Sequence, residues 1–373
     1  MRIKAINILS STAIGASWVF VPLFAYELGA NDWQVGLIVG AWGTARFISS
    51  FIFGRLADIY GRRFILWLGL ITATITFFLQ GFASSSFMLA LLRGAAGFTT
   101  GIFPAAIYAY VHDTGHRVGR YTAYESLGWG VGSLIAGVTS IYWAAFVLSM
   151  YFSVYWSIFT LSSLILFIAL IISLKIPEIK TKPQMVPRFP VNVIKKNGNI
   201  YLAYLLRHTA AMSVWTIFPL FLRELGASLF WIAMMMVVNA CSQFFIMHFL
   251  DRFKSVYLIG FGLMVATITF FSFGIAANYY QILLLHFCIA LSWSSMYVGS
   301  LNHLLENNEE KATAAGLLNS ALSLAGIIGP LLGGFTAEIF GYKTVIFNAA
   351  ALAFISLILF FMLTKDFRPT RRK

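Results

Sequence analysis

Apolar residues along this chain fall in long blocks, and short polar gaps separate them. The blocks lie near residues 7–28, 33–54, 63–82, 86–111, 118–140, 150–174, 199–222, 228–249, 256–276, 281–303, 313–336 and 344–364. A bilayer core of about 30 Å needs roughly 20 apolar residues per spanning helix. A soluble core has no use for so many consecutive blocks of that length. The pattern therefore predicts an all-α membrane protein with twelve transmembrane helices.

The second half of the pattern repeats the first. The stretch Phe20-Val21-Pro22-Leu23-Phe24-Ala25-Tyr26-Glu27-Leu28-Gly29-Ala30 recurs as Ile217-Phe218-Pro219-Leu220-Phe221-Leu222-Arg223-Glu224-Leu225-Gly226-Ala227, at an offset of 197. Trp18 maps onto Trp215, Gly132 onto Gly329 and Gly137 onto Gly334 at the same offset. In between, an offset of 193 maps Asp58 onto Asp251 and Arg93 onto His286. The first span has an interior counterpart in the seventh, so it reads as a retained helix rather than a cleaved leader. Two pseudo-symmetric six-helix bundles follow, 1–174 and 199–373. The Pro-rich, basic segment 175–198 is expected to join them as a cytoplasmic linker.

Composition agrees: 60% of the residues are hydrophobic and only 10% charged, against about 25% charged in soluble domains. The net charge of +13 would ordinarily suggest a nucleic-acid or anionic-lipid partner. Most Lys and Arg, however, gather in alternate gaps and in the two tails. That is the positive-inside bias. It predicts a multi-pass plasma-membrane protein with both termini cytoplasmic and no nucleic-acid partner. Cys241 and Cys288 fall within spans and read as small apolar fillers, and no metal cluster or cofactor motif is present.

One polar gap stands out, Gly54-Arg55-Leu56-Ala57-Asp58-Ile59-Tyr60-Gly61-Arg62-Arg63. Glycine at 54 allows close backbone approach, and glycine at 61 permits a tight reversal. Asp58 is an acid on the side that the positive-inside rule reserves for bases. This segment resembles the signature G-x-L-A-D-x-x-G-R-R/K of the major facilitator superfamily, and the twofold repeat extends the resemblance across the chain. The resemblance implies an inner latch made of Gly54, Asp58, Gly61, Arg62 and Arg63. In it Asp58 meets the start of span eleven near 311–316, and the arginines meet Asp113 at the inner end of span four. The second half keeps only Asp251 of this motif.

Small residues recur every fourth position in span five (Gly128, Gly132) and span eleven (Gly329, Pro330, Gly333). Such spacing suits close helix packing in lipid. The resemblance offers another reading, a marker of proton-coupled exporters, but that motif belongs to span five, where Ser133 replaces its proline.

Ionisable residues deep in a span cost roughly 2.5–3.5 kcal/mol each and usually face a cavity. Arg46, Arg93, Glu125, Arg207, His208 and His286 are the candidates, with Trp18 and Trp215 as symmetric aromatic partners. Arg93-Gly94-Ala95-Ala96-Gly97 resembles the family's R-x-x-x-G of span four, which implies substrate or proton handling. Simpler readings remain open: structural ion pairs for Arg46 and Glu125, and a backbone hydrogen bond for His208. Burial raises a carboxylate pKa and a nearby guanidinium lowers it, so a carboxylate alternating between such settings would carry a proton. Glu125 is the candidate.

The resulting expectation is a monomeric secondary transporter, not an enzyme, that moves a small molecule by alternating access with protons as partner. Export of amphipathic compounds suits the aromatic and Met-rich spans. Uptake or exchange of an organic anion or sugar acid suits the embedded arginines. A non-transporting sensor with the same fold is the rival from another class.

Overall fold

The structure is a computed structural model. It describes residues 2–104, 106–107, 110, 118–143, 153–177, 191–250, 252–308 and 311–364, with backbone only at 51, 54, 55, 58–60, 118–123 and 311–313. The described elements are all helical: α1 Arg2–Trp18, α2 Val21–Glu27, α3 Asp32–Tyr60, α4 Arg62–Gln80, α5 Ser86–Ile102, α6 Val118–Tyr142 and α7 Val154–Ser173 form the first lobe. After the short α8 Val191–Lys196 come α9 Gly198–Glu224, α10 Leu229–Leu250, α11 Ser255–Ile275, α12 Tyr279–Asn307, α13 Lys311–Phe340 and α14 Tyr342–Leu363. Helices α1 and α2 together make one span, so each lobe holds six.

The outer faces are what a bilayer requires. Leu284 is 78% exposed and Phe87 73%. Side chains of this kind, distributed over the whole perimeter, find their solvent in hydrocarbon. At 1.5 Å rise per residue the 29 residues of α3 reach over about 40 Å. They exceed the hydrocarbon layer and carry both ends into its polar margins.

The repeat is visible in backbone detail. Gly29 and Gly226 close the first span of each lobe at φ 82° and 84°, a region that a Cβ disfavours. The same bonds follow: Ala30 N–H donates to Ala25 O and Ala227 N–H to Leu222 O, both at 3.0 Å. The next helix begins on equivalent caps, Asn31 accepting from Gln34 N–H and Ser228 from Trp231 N–H. A side-chain oxygen there satisfies an amide that has no intrahelical partner. Ser85 caps α5 and Asn278 caps α12, the same position at the offset of 193. Packing follows suit: α1 lies on α6 and α7, as α9 lies on α13 and α14.

One expectation is refined. The block 7–28 predicts an unbroken first span, but the helix breaks at Val19–Phe20 and restarts with Pro22 in its first turn. Proline removes the amide that would bond to Trp18 O and its ring crowds that carbonyl. Pro219, its repeat partner, stays inside the continuous α9.

Two seams join the lobes, α3 against α13 and α6 against α10. Both are built on absent side chains. A Cβ at Gly36 would lie 2.6 Å from Pro330 O and 3.0 Å from Gly334 Cα, and one at Gly43 would lie 2.5 Å from Gly326 O. On the other seam, Gly137 faces Ala233 and Gly130 faces Ala240. The remaining ladder glycines serve packing within a lobe: Gly128 and Gly132 fit against α1, while Gly329 and Gly333 fit against α9 at Thr209–Ser213. Pro330 lies within α13 and, with Gly326 four residues before it, borders the α3 seam.

Candidate functional site

Between the lobes lies a cavity of about 860 Å³. Its position follows from the seams. Near Gly36 and Gly334 the lobes touch backbone to backbone. Further along the same two helices, toward the end that holds Arg2, Arg62 and Thr364, Arg46 and Ser50 on α3 and Asn319 and Ser320 on α13 border open space instead. Among the described residues, then, the lobes meet at one end of the cavity and stand apart at the other, the basic one.

A cluster of polar contacts between lobes lies at the closed end. Tyr342 Oη donates to Asp32 Oδ1 at 3.0 Å, and Trp33 N–H donates to Glu338 Oε2 at 3.3 Å. Arg223 Nη1 lies 3.7 Å from Glu27 Oε1, and Glu27 also accepts from Tyr155 Oη at 2.6 Å. Trp33 meets Phe335 edge-on. Asp32, the first residue of α3, lies in the polar margin outside the hydrocarbon layer and has its carboxyl pushed above the ordinary range. Desolvation is the main cause, the Tyr342 bond opposes it and Glu338 adds to it.

The walls are aromatic and soft. Trp18, Trp42 and Trp129 line the first lobe, with Trp18 edge-on to both others at 4.9 and 6.2 Å. Trp215, Trp293, Tyr297, Met212 and Met236 line the second. Charge enters at few points. Arg46 lies over the Trp42 ring at 4.8 Å, and Glu125 reaches the cavity from α6. Arg207 and His208 arrive side by side from α9. Ser126 Oγ donates across the seam to Gln243 Oε1 at 3.5 Å.

Of the residues singled out from the sequence, Trp18, Arg46, Glu125, Arg207, His208 and Trp215 border the cavity, whereas Arg93 and His286 do not. Those two occupy equivalent places one layer behind the tryptophans. Arg93 is 1% exposed and donates from Nη1 to Gln80 Oε1 at 3.2 Å. Its guanidinium backs onto Trp18 at 5.4 Å and Trp42 at 5.7 Å. His286 is fully buried, bonds Ile282 O at 3.0 Å and backs onto Trp215 at 6.0 Å. Each lobe therefore sets a basic side chain behind its repeat-related tryptophan.

At the basic end, Gly61 has φ 91° and turns α3 directly into α4. Arg63 donates to Leu174 O at 3.4 Å and lies 4.3 Å over the Trp67 ring. Arg62 begins α4 beside it. Gly54 and Asp58 belong to α3, but beyond their helical backbone they lie outside the described residues, as does Asp113.

Trp42, Trp129, Trp293, Tyr297, Asn239 and Gln243 also line the cavity, and the sequence reading did not single them out. One signal was available for two of them: at the offset of 193, Asn239 is the repeat partner of Arg46, and Tyr297 that of Pro104, which is also in the wall.

Twin six-helix lobes enclosing an aromatic cavity with a few embedded charges define a membrane transporter. The sequence model of the Major Facilitator Superfamily matches residues 5–303 and 200–373, and the chain belongs to that family. Among curated relatives it is similar to the multidrug resistance protein MdtG of Proteus mirabilis (24% identical; 95% of this chain, 92% of the relative). It is also similar to multidrug resistance protein 1 of Bacillus subtilis (23%; 87% and 86%) and to the quinolone resistance protein NorA of Staphylococcus aureus (22%; 86% and 85%). Among solved structures, the nucleoside transporter NupG shares the fold at a TM-score of 0.78 and 13% identity, with 98% of each chain covered. An inward-facing, occupied bacterial homologue of the lysosomal transporter Spinster does so at 0.78 and 15%, covering 99% of this chain and 97% of that one.

Proposed function

We propose that this protein is a proton-coupled secondary transporter that exports amphipathic aromatic compounds by alternating access. The observation that carries the reading is the cavity wall: five tryptophans and several methionines around a small set of charges. Flat, polarisable surfaces bind apolar rings without demanding one shape, and methionine adapts to different ligands. The multidrug and quinolone resistance relatives support the same substrate class. With both termini cytoplasmic, the open end faces the cytoplasm, where an exporter collects its cargo.

Glu125 is the proposed coupling site. It stands in the wall opposite Tyr297 of the other lobe, so rocking of the lobes changes its surroundings. The test uses purified protein in liposomes. A fluorescent amphipathic dye is expected to accumulate when a proton gradient is imposed, and Glu125→Gln is expected to remove the gradient dependence. Unchanged dependence in Glu125→Gln overturns the coupling role.

Arg46 and Arg207 favour a second reading, uptake or exchange of an organic anion or sugar acid. Saturable uptake of a small hydrophilic acid, with no transport of the amphipathic dye, would establish it. The inner latch of Asp58 with the arginines 62 and 63, and with Asp113, remains part of the proposed cycle. It predicts that Asp58→Asn slows flux, whereas a sensor with this fold would show no flux to slow.

A further inference from the structure

The two lobes share one fold, so residues that serve the fold should recur at the repeat offset. Chemistry present on one wall alone points to the ligand. Arg207 and His208 map onto Ser10 and Ser11, while Trp293 and Tyr297 map onto Thr100 and Pro104. All four second-lobe residues line the cavity. The first lobe has nothing comparable at those positions.

The four form a built patch. Arg207 is 2% exposed. Its Nη2 donates to Ser292 Oγ at 2.9 Å, which fixes the guanidinium, and its Nε has no partner among the described residues. The guanidinium lies 5.7 Å over the Trp293 ring. His208 packs on the same ring at 5.0 Å, and its Nδ1 is likewise unpartnered. Trp293 and Tyr297 are stacked, 5.7 Å apart with 14° between planes. A buried guanidinium with an unused donor lacks the acceptor that would offset its desolvation. Among the described residues lining the cavity, two guanidiniums, Arg46 and Arg207, stand with a single carboxylate, Glu125.

We infer that Arg207, His208, Trp293 and Tyr297 form a subsite for the anionic head of an aromatic solute, so that this transporter prefers aromatic carboxylates to their cationic analogues. Arg207 borders the cavity, and its planar fork suits the two oxygens of a carboxylate. Its Nε, and His208 Nδ1 in the tautomer that carries a proton there, lie buried just behind the wall without a partner among the described residues and join when the side chains turn toward the ligand. The stacked Trp293–Tyr297 pair offers its face to the ring. A cation of the same shape would meet Arg207 and Arg46 as like charges. This rests on the transporter reading above and names its substrate charge, which neither the resistance relatives nor the fold supplies.

Three probes of one shape test it: 2-naphthoate, 2-naphthylmethylammonium and 2-naphthalenemethanol. Binding to the full chain in nanodiscs is measured by calorimetry. The wild type is expected to bind naphthoate about tenfold or more tighter than the ammonium, as an opposite rather than a like charge at close range dictates. Arg207→Gln should remove that preference while leaving the alcohol's affinity in place, which also certifies the fold. Should Arg207→Gln not fold, Trp293→Leu serves: it should weaken naphthoate and alcohol together. Equal or reversed preference in the wild type overturns the inference, and so does a preference lost in Arg46→Gln but kept in Arg207→Gln. Gradient-driven flux of the same probes is read separately. Flux without anion preference sinks the subsite alone, and preference without flux sinks the exporter alone.

Discussion

Gly94 and Gly97 stand one helical turn apart and have opposite surroundings. A Cβ at 97 would lie 2.7 Å from Trp42 Cα, whereas a Cβ at 94 would meet nothing within 4 Å. Overpacking of a tight crossing costs about 1–3 kcal/mol, and relieving a helical glycine of its freedom gains roughly 0.5–1 kcal/mol. Gly97→Val should therefore lower the thermal midpoint in detergent, followed by tryptophan fluorescence, and Gly94→Ala should hold or raise it. Gln80→Leu belongs to the same neighbourhood. It strips the hydrogen bond from the buried Arg93, a loss of about 1.5–3 kcal/mol for a charged group, so its midpoint should fall further than that of Thr72→Val on the same helix. The sequence showed both glycines and the arginine, but not which glycine meets a backbone. Nor did it show that Arg93 sits behind the tryptophans. The spans are apolar on nearly every side, so no polar stripe marks the face that turns to the seam. Trp42 and Trp293 were hidden for that reason among ten tryptophans.

At the scale of elements, the blocks and their offset revealed the helices and their pairing. The break before Pro22 and the polar clasp at the closed end stayed hidden. Both depend on tertiary partners, since Asp32 and Tyr342 are far apart in sequence. The clasp makes a pH prediction. Asp32 is pushed up by desolvation between α3, α13 and α14, where Glu338 and Tyr342 face it, and Glu224 and Tyr26 act on Tyr342. When the lobes part, water returns and the carboxyl regains its ordinary value. Protonated Asp32 therefore favours the clasped state. That advantage is full at acid pH and is lost as pH rises through the raised value. Spin labels on Ser84→Cys and Ala277→Cys, repeat-related positions on opposite lobes at this end, should report a narrower distance distribution in acid. Tyr342→Phe removes the bond that lowers Asp32, so its transition should lie at higher pH. A distribution insensitive to pH in both proteins would exclude Asp32 from the clasp's energetics.

Across the whole molecule, closure at one end and openness at the other cannot both be permanent in a machine that moves solute through a single cavity. Much of each seam is backbone against glycine, and such smooth stretches of helix face can part and meet again. If the lobes rock, a tether across the closed end must stop flux without harming the fold. Glu27 and Arg223 supply the site. They face each other from the two lobes at 3.7 Å, with side chains about half exposed. The exposed pair contributes about 0–1 kcal/mol, and Glu27→Cys also strips the bond from Tyr155 Oη, about 1.5–3 kcal/mol for a charged acceptor. Glu27→Cys with Arg223→Cys should therefore fold with a lowered midpoint and transport near the parental rate once Cys241 and Cys288 are serine. A short, reducible thiol-to-thiol linker should then abolish gradient-driven flux, and dithiothreitol should restore it. Naphthoate should still bind the tethered protein from the basic end, because that mouth stays open in the clasped form. Flux that persists through a complete cross-link would mean solute passes without the lobes separating here, and the cavity would then have to be a channel rather than an alternating site.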